Sequence, residues 1–132
     1  MAATYASQSD VEPLIKFISD DASDDLFETV LDNAANWINA RLLSQGLPEP
    51  DNTYDDLLQT AAIYYAASDV ILALYNGEEL PTQFDAYFKK AELMLEAYIT
   101  KMKDELAETE LKNKNMVKHH KGLTYYQRKQ RR

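Results

Sequence analysis

Three pairs of neighbouring aspartates are the first candidates for chemistry, because carboxylates bind calcium and act as catalytic acids or bases. The pairs are Asp20-Asp21, Asp24-Asp25 and Asp55-Asp56. Their spacing lacks both the glycine and the terminal glutamate of a calcium-binding loop. They fall where helices are expected to begin, and a helix N-terminus favours negative charge. We therefore assign these carboxylates to helix capping and solvation.

His119-His120 is the second candidate, and it holds both histidines of the chain. Adjacent side chains in a flexible segment point in different directions, and the residues that follow this pair include no carboxylate. A metal site needs preformed ligand geometry and residues that orient the ligands. We therefore interpret the pair as part of a solvated segment and expect no metal.

Asp69 is an acidic residue inside a largely apolar stretch. A buried carboxylate requires a partner, and Arg41 of the preceding predicted helix is the expected one. We interpret this pair as structural. Trp37, the single tryptophan, is expected to anchor the core.

Motifs for catalysis are missing from the sequence. It contains no cysteine, no glycine-rich phosphate loop, no Gly-x-Ser-x-Gly elbow and no His-Glu-x-x-His motif. A small enzyme subunit with a carboxylate site is the remaining catalytic alternative, and no motif supports it. The sequence therefore predicts no catalytic residues, no cofactor and no enzyme.

Length and composition favour one soluble domain. The 132 residues are 45% hydrophobic, which is enough for a core without disulfides. Residues 1–8 lack the pattern of a signal peptide. No apolar run approaches the roughly 18 residues of a membrane-spanning helix. We expect a protein that begins in the cytoplasm and has no membrane partner.

Apolar residues recur every three to four positions over most of the chain, which predicts an all-α bundle of about four helices. The third helix is apolar around much of its circumference, so it is expected to be central. The fourth is expected to be the longest, at roughly 45 Å. In chain order the predicted helices are one capped by Ser9 and Glu12, one from a Ser23 cap to Gly46, one from Thr53 to Asn76-Gly77, and one from Pro81-Thr82 to about Lys112.

Charge divides the chain into an acidic helical domain, residues 1–112, and a basic flexible tail, residues 113–132. The domain holds all 22 acidic residues and 7 of the 14 basic ones, a net charge of −15; the tail holds the other 7 basic residues, a net charge of +7. Such a tail is expected to become ordered on a partner. Its predicted partner-binding residues are Lys114, Lys118, Lys121, Tyr125, Tyr126, Arg128, Lys129, Arg131 and Arg132.

The basic tail has two functional interpretations beside that of a solubilising terminus. It binds an acidic protein surface, or it contacts nucleic-acid phosphates. If all seven charges met phosphates, the logarithm of affinity would fall with the logarithm of salt concentration with a slope of about 6.

The order of features resembles the head–tail connector proteins of long-tailed double-stranded-DNA phages and proviruses, also called adaptor or head-completion proteins. The resemblance covers about residues 5–100. It rests on three segments: Tyr5-Ala6-Ser7-Gln8-Ser9-Asp10-Val11 with Leu14, the helix from Ser23-Asp24-Asp25 to Ala40-Arg41-Leu42, and the helix with Leu57-Leu58, Ala61-Ala62 and Tyr64-Tyr65-Ala66-Ala67-Ser68. A final long helix follows. The connection from Gly46 to Asn52 and the basic tail exceed the shortest members of that family.

The resemblance implies a structural virion protein at the head–tail interface, present in the host cytoplasm during assembly. Such proteins form a homo-oligomeric ring, usually of twelve copies, under the portal protein. The ring extends the DNA channel, lets genome DNA pass without specific binding, and docks the downstream tail or stopper protein. By this analogy the basic tail docks on the portal. The alternative is a small DNA-binding regulatory protein that uses the same tail, against which the acidic domain argues.

Overall fold

The computed structural model describes residues 5–18, 22–50, 55–75 and 81–119, the last eight of these by their backbone alone. Throughout this part of the chain the regular elements are helical, so the predicted all-α bundle of about four helices is confirmed. The helices are α1 (Gln8–Val11), which continues into a 3₁₀ helix (Glu12–Ile15), α2 (Asp24–Ser44), α3 (Asp56–Leu74) and α4 (Thr82–His119).

The chain forms two compact units, Met1–Ile99 and Thr100–Arg132. Every buried side chain among the described residues belongs to the first unit, from Tyr5 to Ile99. The hydrophobic core of the described chain is therefore that of the first unit.

Helix α1 begins two residues earlier than the sequence predicts. Its N-cap is Ser7, whose backbone N–H donates to Asp10 Oδ2 at 3.0 Å, so the predicted cap by Ser9 and Glu12 is wrong. The pattern Ser-x-x-acid occurs twice in overlapping register here. Val11 and Ile15 are fully buried in the core.

Helix α2 has the predicted ends. Ser23 Oγ accepts a hydrogen bond from the Leu26 N–H at 3.1 Å, and Gly46 follows the helix with a φ of +77°. A left-handed residue after a helix is a common C-terminal cap and favours glycine. After Gly46 the Leu47 N–H donates to the Leu42 carbonyl at 2.9 Å, and the Leu47 side chain is buried.

Helix α3 is capped by Asp55, and the predicted start at Thr53 is corrected. The Asp55 carboxylate accepts hydrogen bonds from the N–H groups of Leu57, at 2.8 Å, and Leu58, at 3.3 Å. The helix ends at Leu74. Thr53 and the predicted stop at Asn76-Gly77 lie outside the described residues.

Helix α3 is the most apolar element of the described chain. This helix is long and apolar enough to cross a membrane, judged by length and hydropathy alone, whereas the sequence analysis predicts no membrane-spanning helix. Asp56 and Asp69 interrupt its apolar run, but the mean hydropathy of the helix stays high enough for a membrane-spanning segment. Core helices of globular proteins share these properties, and eight residues of α3 are buried in the first unit.

Helices α2 and α3 pack antiparallel, with Asn33 beside Asp69 and Trp37 beside Tyr65. This register overturns the predicted pair of Asp69 with Arg41. Asp69 is half-buried and accepts a hydrogen bond from Asn33 Nδ2 at 3.1 Å. Arg41 lies two helical turns further along α2 than Asn33 and forms an ion pair with Glu96 of α4.

Helix α4 begins at Thr82, as predicted, and continues to His119, beyond the predicted end near Lys112. Residues 113–119, predicted to belong to a flexible tail, are therefore helical. Its 38 residues correspond to a length of about 57 Å. Ala91, Leu95, Tyr98 and Ile99 supply its buried stripe in the first unit. In the second unit the described side chains of α4 are exposed, apart from the half-buried Met102.

Candidate interaction surfaces

The nine predicted partner-binding residues fall mostly beyond the described part of the chain. Lys114 and Lys118 lie on α4, where the backbone is helical. The other seven lie outside the described residues: Lys121, Tyr125, Tyr126, Arg128, Lys129, Arg131 and Arg132. Their role in binding stays a prediction.

A groove lies between the N-terminal segment and the first half of α2. It has a volume of about 510 Å³, within the range of small ligand sites in proteins. Its apolar lining residues are Ala6 and Phe27, both largely buried in the core, and the half-buried Leu31. We call this feature the acidic groove; it is lined by Ala6, Ser7, Gln8, Asp24, Phe27, Glu28, Leu31 and Asp32.

Three carboxylates of α2 form one side of the acidic groove. Asp24, Glu28 and Asp32 follow one another at intervals of four residues, which places them on one face of the helix. Gln8 Nε2 donates to Asp24 Oδ1 at 3.3 Å, and the ion pairs of Arg41 and Lys89 are with carboxylates of α4. In the described residues no group of histidine, cysteine or carboxylate side chains has a metal-binding arrangement. The groove is therefore an anionic surface beside the partly exposed Leu31.

Four half-buried aromatic rings from α2, α3 and α4 form what we call the aromatic cluster. Trp37 stacks on Tyr65 with ring centroids 4.4 Å apart, and Phe88 lies 6.4 Å from Trp37. Phe84 stacks parallel to Phe88 at 6.3 Å. The Arg41 guanidinium lies 5.8 Å from the Trp37 ring centroid. Trp37 therefore packs against aromatic rings of α3 and α4, and its own ring remains partly exposed.

Tyr87 connects α4 to the N-terminal segment. Its hydroxyl donates to the Leu14 carbonyl at 2.8 Å, and its ring meets Tyr64 edge-on at 5.4 Å. Burial, and secondarily the neighbouring Tyr64, raises the pKa of Tyr87. Burial likewise raises the pKa of Tyr65, with Asp69 as the second cause. Both groups stay protonated at neutral pH and serve as structural hydrogen-bonding or packing groups.

Tyr5 is the most strongly perturbed titratable group among the described residues. Its side chain is buried, and its hydroxyl donates to Asn39 Oδ1 at 2.6 Å. Burial first, then the charges of Glu49 and Tyr98, raise the pKa of Tyr5 to about 12. The hydroxyl acts as a hydrogen-bond donor that attaches the N-terminal segment to α2.

The second unit presents a charged helix surface with isolated apolar side chains. Leu106 is 49% exposed and Leu111 is 59% exposed. Both are surrounded on α4 by lysines and glutamates. Single exposed leucines are common on protein surfaces and indicate no particular partner.

The acidic groove was not predicted from the sequence, although its carboxylates carry a recognisable signal. Asp24 was assigned to helix capping, and Glu28 and Asp32 were not singled out. Their spacing of four residues predicts a shared helix face. The apolar lining depends on how the N-terminal segment packs on α2, and periodicity within one helix does not reveal that contact.

No protein-family model, no curated protein and no solved structure significantly matches this chain.

Proposed function

We propose that this chain is a structural adaptor, a head–tail connector protein of a phage or provirus, and that it acts by assembly. The observation that carries the proposal is the separation of charge along one polypeptide. Residues 113–132 hold half of the basic residues and no acid, after a domain with a net charge of −15. A basic segment of this kind binds an anionic surface when that surface becomes available.

The proposed mechanism has three steps: copies associate into a ring, the basic tail docks on the portal protein, and the ring offers a surface to the downstream tail or stopper protein. The aromatic cluster supports the association step. Partly exposed aromatic side chains and arginine are enriched at protein interfaces, and Trp37, Tyr65 and Arg41 lie together.

The acidic domain supports the passage of DNA through such a ring. Genome DNA carries a dense negative charge, so a negatively charged channel wall repels it and prevents adhesion. The net charge of −15 over residues 1–112 is compatible with such a wall.

Portal docking is tested by capturing the chain on tagged portal protein from the genome that encodes it. The full chain should be retained, and the variant Lys114→Gln, Lys118→Gln, Lys121→Gln should be retained several-fold less, because three positive charges are lost from the tail. Lys89→Gln, Lys101→Gln, Lys103→Gln removes the same charge from the exposed surface of α4 and is the matched control. Equal retention of both variants would exclude these three lysines from the docking contact. Equal retention of the full chain and of a chain without residues 113–132 would exclude the tail as the docking segment.

A small DNA-binding regulatory protein is the second candidate, and the same seven basic residues favour it. A regulator should retard duplex DNA in a gel, with a logarithmic salt slope of about 6 if every charge meets a phosphate. The adaptor should not retard DNA at physiological salt. Retardation that disappears on deletion of residues 113–132 would favour the regulator.

A further inference from the structure

The acidic groove has the chemistry of a receptor for a basic peptide that carries an aromatic or apolar side chain. Its apolar lining includes the half-buried Leu31, and three carboxylates of α2 line it as well. Like charges at intervals of four residues on a helix destabilise it, so a cation beside them is favourable. A volume of about 510 Å³ accommodates one or two large side chains of a peptide.

The chain itself contains a segment with the complementary chemistry. Residues 121–132 read Lys-Gly-Leu-Thr-Tyr-Tyr-Gln-Arg-Lys-Gln-Arg-Arg, with five basic residues and no acid. Tyr125 and Tyr126 offer rings for packing against Leu31. The basic residues on both sides of them offer partners for Asp24, Glu28 and Asp32.

We infer that the acidic groove of one copy binds residues 121–132 of a second copy. The two surfaces differ, so each copy uses its groove for one neighbour and its basic segment for the other. Such head-to-tail contacts close into rings when the rotation between copies is right. This inference rests on the proposed ring, and it adds a contact that holds copies together before the basic segments transfer to the portal.

Self-association of the full chain without portal protein tests the inference directly. Analytical ultracentrifugation should show reversible, concentration-dependent association at low salt, weakened at 0.5 M salt because the pairing is electrostatic. The variant Asp24→Asn, Glu28→Gln, Asp32→Asn should associate about tenfold more weakly, since it loses three partly exposed charge pairs.

The matched control is Asp104→Asn, Glu105→Gln, Glu108→Gln, which removes the same charge from exposed positions of α4 in the second unit. It should associate like the wild type. Circular dichroism should show that both variants retain the helical content of the wild type. A synthetic peptide of residues 121–132, added in excess, should dissociate the wild-type assembly by occupying the groove.

Three results would overturn the inference. The full chain stays monomeric at every concentration and salt level, the groove variant associates as strongly as the control, or the peptide leaves the assembly intact. A monomer whose groove resonances nevertheless change on deletion of residues 121–132 would place the contact within one copy. Capture on portal protein is measured separately, so failure here leaves the adaptor proposal standing.

Discussion

At the scale of single residues, polar side chains attach the elements of the first unit to one another. The Tyr5 hydroxyl reaches Asn39, Asn33 reaches Asp69, and the Tyr87 hydroxyl reaches the Leu14 carbonyl. Each bond joins segments that are distant in sequence. A hydrogen bond of this kind typically adds about 1 kcal/mol to the free energy of unfolding. Removal of one partner costs more where the other partner is left buried and unpaired.

Tyr5→Phe should destabilise the protein by about 1–2 kcal/mol, because Asn39 Oδ1 loses its donor while the ring stays in place. The free energy of unfolding in urea measures the effect. Tyr75→Phe, which removes a hydroxyl from a more exposed ring, is the control and should change little. Equal stability of Tyr5→Phe and the wild type would mean that water replaces the hydrogen bond.

Stability should also fall between pH 10 and 12 in a way that depends on Tyr5. The folded state holds the Tyr5 proton up to a pKa of about 12, while the unfolded state releases it near 10. The folded state therefore binds more protons in this interval, and the free energy of unfolding decreases as pH rises. The loss above pH 12 is about 2–3 kcal/mol. Urea titrations of Tyr5→Phe should lack this part of the decline.

At the scale of elements, capping residues decide where helices begin, and they show how far the sequence predicts the fold. Ser23 and Gly46 bound α2 as predicted. The caps of α1 and α3 were predicted wrongly, since Ser7 competes with Ser9, and Asp55 with Thr53. Local sequence offers both choices, and tertiary packing selects between them.

Contacts between elements were the least predictable part of the fold. The expected pair of Asp69 with Arg41 required the wrong register between α2 and α3, because periodicity gives a buried face but no axial offset. The acidic groove escaped prediction for the same reason. The basic tail, by contrast, was evident from composition alone.

Asp55→Ala should destabilise the protein by about 1 kcal/mol, because the N–H groups of Leu57 and Leu58 lose their acceptor. Asp55→Asn retains an acceptor oxygen and should lower the free energy of unfolding by less. Thermal unfolding followed by circular dichroism measures both. If the two variants lost the same stability, the charge of Asp55 would matter more than its cap.

At the scale of the whole molecule, burial and positive charge occupy different parts of the sequence. All buried side chains among the described residues precede Thr100, whereas the basic tail begins after Lys112. The acidic domain and its core are therefore expected to fold independently of the segment proposed to bind partners.

Deletion of residues 113–132 should leave the free energy of unfolding within about 0.5 kcal/mol of the wild type, because the described core, from Tyr5 to Ile99, is retained in full. Ile38→Ala, which truncates a fully buried side chain, is the contrasting control and should cost about 2–5 kcal/mol. Urea denaturation measures both. A large loss in the deletion variant would mean that the basic tail supports the core.

The position of Trp37 allows its intrinsic fluorescence to report on binding to the protein. The chain has a single indole, and it stacks on Tyr65 where α2, α3 and α4 meet. Emission excited at wavelengths too long for tyrosine to absorb therefore originates at one known junction. Because the ring is partly exposed, a quencher such as iodide reaches it, and any partner that covers the aromatic cluster would shift its emission to shorter wavelength without an attached dye.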